Sequence, residues 1–139
     1  MAYNGYLIKV GGSAGTILPM KYIKTEGYDI TPAQRLETEA KRAVTGVLHR
    51  TTVAHTATKV EFNTPIITNT ALENLILLFR SAWTDVSQRK LTLEYYDMES
   101  NSYKEGTFYM PDIKYQIHHI DNENDVVYYK ETRIAFIEY

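Results

Sequence analysis

The chain has no cysteine among its 139 residues, so disulfide staples, thiolate zinc sites and cysteine nucleophiles are excluded. That absence suits a protein that folds in a reducing cytosol. An excess of one charge sign is missing too: 15 Lys and Arg stand against 17 Asp and Glu, a formal net charge of −2. A duplex-binding module would normally carry a basic stripe, and the signs here are interspersed. Long hydrophobic runs are lacking as well. The longest apolar cluster, Leu75 to Phe79, has five residues, far short of the roughly 20 that a membrane-spanning helix needs. The opening MAYNGYLIKV has no signal-peptide core and runs straight into strand pattern. A soluble protein with no membrane partner is expected. Neither a fixed-period repeat nor a low-complexity tract is present.

What is present is a globular composition, 44% hydrophobic and 23% charged, suited to a single domain over 1–139. Tyr3 to Val10 reads as a first strand, closed by Gly11-Gly12-Ser13-Ala14-Gly15. Thr16 to Lys24 reads as a second, with Pro19 marking an edge or bulge. Tyr28 to Thr31 extends the pairing before Pro32. Val47 to Thr64 is rich in Thr and Val, with Val60 and Phe62 on one face, and reads as one long strand ending at Pro65. Thr70 and Glu73 form a capping box. Leu72, Leu75, Ile76, Phe79 and Trp83 then recur at helical spacing. This predicts a helix over about 71–84 with Trp83 packed beneath it. Leu91 to Tyr96 and Tyr103 to Met110 flank the turn Asp97 to Ser102 as a hairpin. Ile113 to Ile120, Val126 to Lys130 and Thr132 to Tyr139 complete the pattern. The expected fold is mainly β (α+β): seven or eight strands in a β-sandwich or barrel, with one flanking α-helix and a long charged arm.

That arm is Thr31 to Gly46, TPAQRLETEAKRAVTG. Its large apolar residues are Leu36 and Val44 alone, too few to bury a face. Local signals conflict. Thr31 with Gln34, Pro32 and Gly46 would suit a helix, and Glu, Ala, Lys and Arg favour one. An isolated helix of this length is marginal without an apolar face to dock, so an extended arm or hairpin is expected ahead of a helix, which stays the alternative. Connections this long are usually functional or disordered. An arm ordered against a neighbouring subunit would pair through Arg35, Glu37, Glu39, Lys41 and Arg42.

Catalytic signatures are missing. His118 and His119 are adjacent on a strand and face opposite sides. His49 and His55 would share a face, but roughly 20 Å apart along an extended strand. Gly11 to Gly15 is followed by Thr16-Ile17-Leu18-Pro19 rather than by the helix that phosphate loops require. Acid pairs such as Glu37 with Glu39, or Asp121 with Asp125, lie in polar segments expected to be solvated, whereas general acid–base work needs burial or a charged neighbour to tune a pKa. Ser81 and Ser87 lack a nucleophile-elbow context. No catalytic, cofactor or metal residue is expected, and no enzyme. Tyrosine is abundant, twelve copies against four phenylalanines. Strand positions such as Tyr95, Tyr96, Tyr128 and Tyr129 must divide between core filling and exposed contact.

Four stretches carry a resemblance: YLIKVGG, GVLHRTTVAHTATKVEFNTP, YYDMESNSYKEGTFYMPDI and the closing TRIAFIEY. Together they resemble small tail proteins encoded in the tail modules of phages and prophages of Gram-positive bacteria. In architecture the chain is also similar to tail-tube and distal-tail proteins. It has no room for the second, galectin-like domain that many distal-tail proteins carry. The resemblance implies a structural virion protein made in the host cytoplasm. It would assemble with itself as a ring, typically a hexamer, beside other tail proteins, with DNA as passing cargo. The rivals are a module that binds host-surface carbohydrate or a receptor through exposed tyrosines and Trp83, and a tail-assembly factor.

Overall fold

In the segment Ala57–Asn63, Thr58, Val60 and Phe62 are buried while the residues between them stay partly exposed. This is the period-2 signature of a strand with one face on a core. The computed structural model describes residues 3–34, 37–42, 48–52 and 57–139; for 33–34, 37–42 and 48–52 the description is of backbone pairing. Among these residues the strands are β1 (Ile8–Val10), β2 (Thr16–Ile17), β3 (Lys24–Gln34), β4 (Glu37–Arg42), β5 (Leu48–Thr52), β6 (Ala57–Asn63), β7 (Ile67–Thr68), β8 (Lys90–Asp97), β9 (Ser102–Tyr109), β10 (Ile117–Asp121), β11 (Val126–Tyr129) and β12 (Arg133–Glu138). One α-helix, α1 (Asn69–Ala82), and a 3-10 turn at Met20–Tyr22 complete the set.

Seven strands form one antiparallel sheet in the order β2-β1-β8-β9-β12-β6-β3, and β10-β11-β7 form a smaller one. The large sheet curls. Tyr28 of β3 donates its hydroxyl to the Tyr96 carbonyl of β8 at 2.8 Å, although β9, β12 and β6 lie between those strands. Inside the curl, Ile8, Leu18, Val60, Phe62, Leu91, Leu93, Phe108, Ile134 and Phe136 are buried. The helix presents Leu72, Leu75 and Phe79 to this core, and the Phe79 ring meets Phe136 edge-on at 5.5 Å. Ile76 is half-buried beside them. The fold is mainly β with one flanking helix, as the alternation predicts. No described helix is long and apolar enough to cross a membrane.

Several boundaries differ from the sequence reading, each for a tertiary reason. The helix starts earlier than residue 71, and its cap is Thr68, whose side chain accepts from the Ala71 amide at 3.3 Å. Thr68 pairs with Tyr128 at the end of β7, which holds it in the extended conformation an N-cap needs. Thr70 falls inside the first turn. The helix ends at Ala82 because Trp83 turns extended and Thr84 is drawn to the Lys90 carbonyl at 2.7 Å. The first strand is short, beginning at Ile8, although Leu7 still accepts from the Tyr96 amide. The second stops at Ile17, and Pro19 caps the 3-10 turn instead of sitting in a strand.

Pro32 does not end pairing: β3 runs through it to Gln34, with a register shift between Thr31 and Gln34. An irregularity of that kind tolerates the missing proline N–H. Where it is described, the expected strand over 47–64 lies in β5 and β6, which belong to different sheets, and the expected strand over 113–120 begins at Ile117.

The glycine cluster is a tight turn followed by strand β2, with the Gly15 amide on the Gly12 carbonyl at 2.9 Å. A Cβ on Gly15 would stand 2.1 Å from the Val10 carbonyl oxygen, so only glycine allows this approach.

Candidate functional site

Two features stand apart from the packed core: the ribbon that carries the proposed interface residues, and a cleft at the end of the helix.

The charged segment is strand where it is described, not helix. β4 pairs antiparallel with β5 as a separate two-stranded sheet, with Glu39 opposite Thr51, Lys41 opposite His49 and Arg42 opposite Leu48. Glu37, Glu39, Lys41 and Arg42 therefore share one strand. Arg35, Leu36, Val44, Gly46 and His55 lie outside the described residues. Because β3 runs to Gln34, the segment departs from the main sheet about three residues later than the sequence suggests. Gln34 and Ala57, which bracket it, are themselves register partners. In sequence, β4 and β5 thus lie between two paired positions of β3 and β6, at an edge of the seven-stranded sheet.

The cleft has a volume of about 270 Å³. Helix α1 supplies Ile76, Phe79 and Arg80, and Trp83 follows at its C-cap. Met110 directly follows β9, and Asp112, Ile113 and Tyr115 come from the irregular segment that continues from it. The Trp83 indole N–H lies 3.4 Å from the Met110 sulfur, which fixes the ring at the rim. Trp83 packs against the core yet stays partly exposed, so it is not sealed beneath the helix as its spacing predicts.

Arg89 enters from the turn before β8 with φ +51°, a left-handed conformation uncommon for a residue other than glycine, asparagine or aspartate. Within the turn the Arg89 amide donates to the Val86 carbonyl at 3.3 Å, and from across the sheet the Met110 amide donates to the Arg89 carbonyl at 3.2 Å. Its guanidinium meets Asp112 at 3.0 Å, a carboxylate that is 98% exposed. Arg80 makes no ion pair among the described residues. Burial pushes the Tyr115 phenol above its ordinary value, while Arg80 and Arg89 pull it partly back. Both cations line the cleft. Sequence reasoning had Trp83 in view at the end of the helix but did not single out Arg80. It missed Arg89, Asp112 and Tyr115, whose approach depends on the β8–β9 pairing.

The buried acids are structural. Tyr6 donates to Glu94 at 2.5 Å and stacks on Tyr103 at 4.5 Å. The Glu94 hydrogen bond, aided by burial, raises the Tyr6 phenol to about 12. Burial pushes the Asp97 carboxyl up, but Lys104 at 2.9 Å, the Glu99 amide and the Ser100 hydroxyl outweigh it. Asp97 ends below the usual carboxylate range. No buried side-chain polar atom lacks a partner among the described residues. Tyr95 is buried, whereas Tyr96, Tyr128 and Tyr129 are half-buried. His118 and His119 are exposed on β10, and His119 stacks on Tyr128. Among the described residues no three His, Asp or Glu side chains converge as metal ligands would.

No curated protein matches this sequence, and no solved structure does either. One family spans the whole chain, residues 1–139, and the protein belongs to it: DUF6711, a family of unknown function.

Proposed function

We propose that this chain is a structural subunit of a phage or phage-derived tail, a component of the tube or of a distal-tail or baseplate ring. The subunit assembles with itself into a closed ring, a hexamer by the tail-tube likeness, around a channel through which DNA passes without specific binding. The observation that carries the reading is the β4–β5 ribbon, two strands that pair with each other apart from the main sheet. An isolated two-stranded hairpin is marginal in water, so a ribbon of this kind gains by lying on a neighbour. Head-to-tail contacts whose rotation closes give rings, and closure removes open sheet edges such as β2 and β3. A near-neutral charge suits DNA as cargo. The resemblance to small tail proteins supplies the biological setting.

Reversing Arg35 and Arg42 to Glu tests this. Exposed pairs are individually worth about 0–1 kcal/mol, but like charges repeated at every ring interface can cost several kcal/mol. Light scattering should show a weakened oligomer while circular dichroism shows an intact fold, at matched salt and with wild type first shown to assemble. Full assembly of the double variant would remove the ribbon as the clasp. Detection of the tagged protein in purified particles by electron microscopy would separate a virion component from a tail-assembly factor. The partly exposed Trp83 favours one second reading, a module that binds a host surface.

A further inference from the structure

We propose that the cleft between the C-terminal end of α1 and the Arg89 turn is a docking pocket for an acidic peptide segment of a partner protein. Such a segment would present one large apolar side chain next to an Asp or Glu. The inference does not depend on the tail reading.

Shape points to the class of occupant. The cleft holds about 270 Å³, room for one large side chain. It shares Arg80, Trp83 and Arg89 with an open groove beside Val86, and Arg89, Met110 and Asp112 with another beside Gln88 and Pro111, so an extended segment can place one side chain in the cleft and continue along the surface. Ile76, Phe79, Met110 and Ile113 give the cleft an apolar wall against which an apolar side chain can pack, set among polar groups. Its rim carries two guanidiniums. Arg80 has no ion-pair partner among the described residues, and the partner of Arg89 is a carboxylate almost wholly in water. A solvent-exposed pair is weak, and an incoming carboxylate can replace it at small cost. Charge complementarity therefore asks for an acid beside the apolar anchor.

The pocket is also prepared in advance. Arg89 is held in a sparsely populated backbone conformation by its turn, strain of the sort that clusters at ligand clamps. Trp83 is pinned by Met110, which lowers the ordering cost of binding. Trp, Tyr and Arg, the residue types that dominate interface hot spots, meet here as Trp83, Tyr115, Arg80 and Arg89.

Trp83 is the single tryptophan, so its emission reports on the pocket directly. The experiment titrates the full chain with three capped peptides: Glu-Phe-Glu, Lys-Phe-Lys and Glu-Ala-Glu. A fourth titration uses 3-phenylpropionate and a fifth an amino-sugar oligosaccharide. Glu-Phe-Glu alone among the peptides should give a saturable emission shift that weakens with salt. In NMR spectra it should move the Met110 amide and the two arginine Nε resonances. The variant Arg80→Glu/Arg89→Glu, checked by circular dichroism, should bind at least tenfold more weakly. If that variant fails to fold, Arg80→Gln should still weaken binding severalfold, because its side chain is exposed.

The proposal is overturned if Glu-Ala-Glu or Lys-Phe-Lys binds as well as Glu-Phe-Glu. It is equally overturned if no peptide saturates by about 10 mM, a free energy near −3 kcal/mol. A response to phenylpropionate or to the oligosaccharide without one to the peptide would assign the pocket to another ligand class.

Discussion

At the scale of single residues, Asp97 has the clearest role. It is nearly solvent-free yet charged, and it organises the β8–β9 turn through Lys104, the Glu99 amide and the Ser100 hydroxyl. Asp97→Ala leaves those donors without their acceptor and should cost about 1–3 kcal/mol at neutral pH, read from urea unfolding. The folded carboxyl lies below its ordinary value, so its contribution is present above the unfolded pKa of about 3.9. It is lost as pH falls through the folded value. The gap between wild type and variant should therefore shrink in acid, and a gap that stays constant there would contradict this account. Tyr6 has the opposite sign. Its phenol is raised from 10 to about 12, so its contribution is complete below pH 10 and lost as pH rises through about 12. Unfolding curves of Tyr6→Phe and wild type should converge across that interval. Gly15→Ala drives a Cβ into the Val10 carbonyl and should cost more than about 1 kcal/mol, seen as a lowered Tm.

At the scale of elements, the helix and the ribbon behave as opposites. Leu75 is fully buried on the face of α1 that meets the core. Leu75→Ala should cost about 2–5 kcal/mol; a loss under half of one would mean that this face is not core. The cap offers a sharper comparison, because two threonines compete for the role in sequence and one holds it in space. Thr68→Ala should cost about 1 kcal/mol and Thr70→Ala much less, with equal losses contradicting the observed cap. The ribbon is held by its own ladder, since β4 and β5 form a sheet of their own. In a dilute monomer, the amides of 37–42 should exchange faster than those of β6, which is paired on both sides. Protection equal to that of β6 would show that the ribbon is stabilised within its own subunit.

At the scale of the whole molecule, the curled sheet and the ribbon divide the labour. The sheet closes around its core through contacts such as Tyr28 with Tyr96, and the ribbon interrupts it at a single point. Gln34 and Ala57 are already paired across that point. Excising 35–56 and joining the two with an Asn-Gly turn should restore an ordinary hairpin. The shortened chain should keep its circular dichroism spectrum and cooperative melting while failing to assemble in light scattering. A chain that no longer folds would place the ribbon inside the folding unit, and one that still forms the wild-type oligomer would place the interface elsewhere.

The sequence by itself determined whatever has a local period. Val60 with Phe62, and Ile134 with Phe136, alternate strictly and are buried together, because a strand turns every second side chain to one face. Leu72, Leu75 and Phe79 likewise line the buried helix face, because 3.6 residues complete a turn. Tertiary structure alone decided where those periods stop. Thr68 caps the helix because β11 holds it extended, and β3 continues through Pro32 because a register shift beside β6 absorbs the missing donor. In the charged segment local propensity favoured helix while the missing apolar face argued for an extended arm or hairpin, and pairing with β5 makes 37–42 strand. The cleft was least legible of all. Arg80 and Arg89 are nine positions apart in sequence and come together with Asp112 and Tyr115 only because β8 and β9 pair beneath them. No periodicity encodes a meeting of that kind; it is made by the packing of elements that each have their own reasons to form.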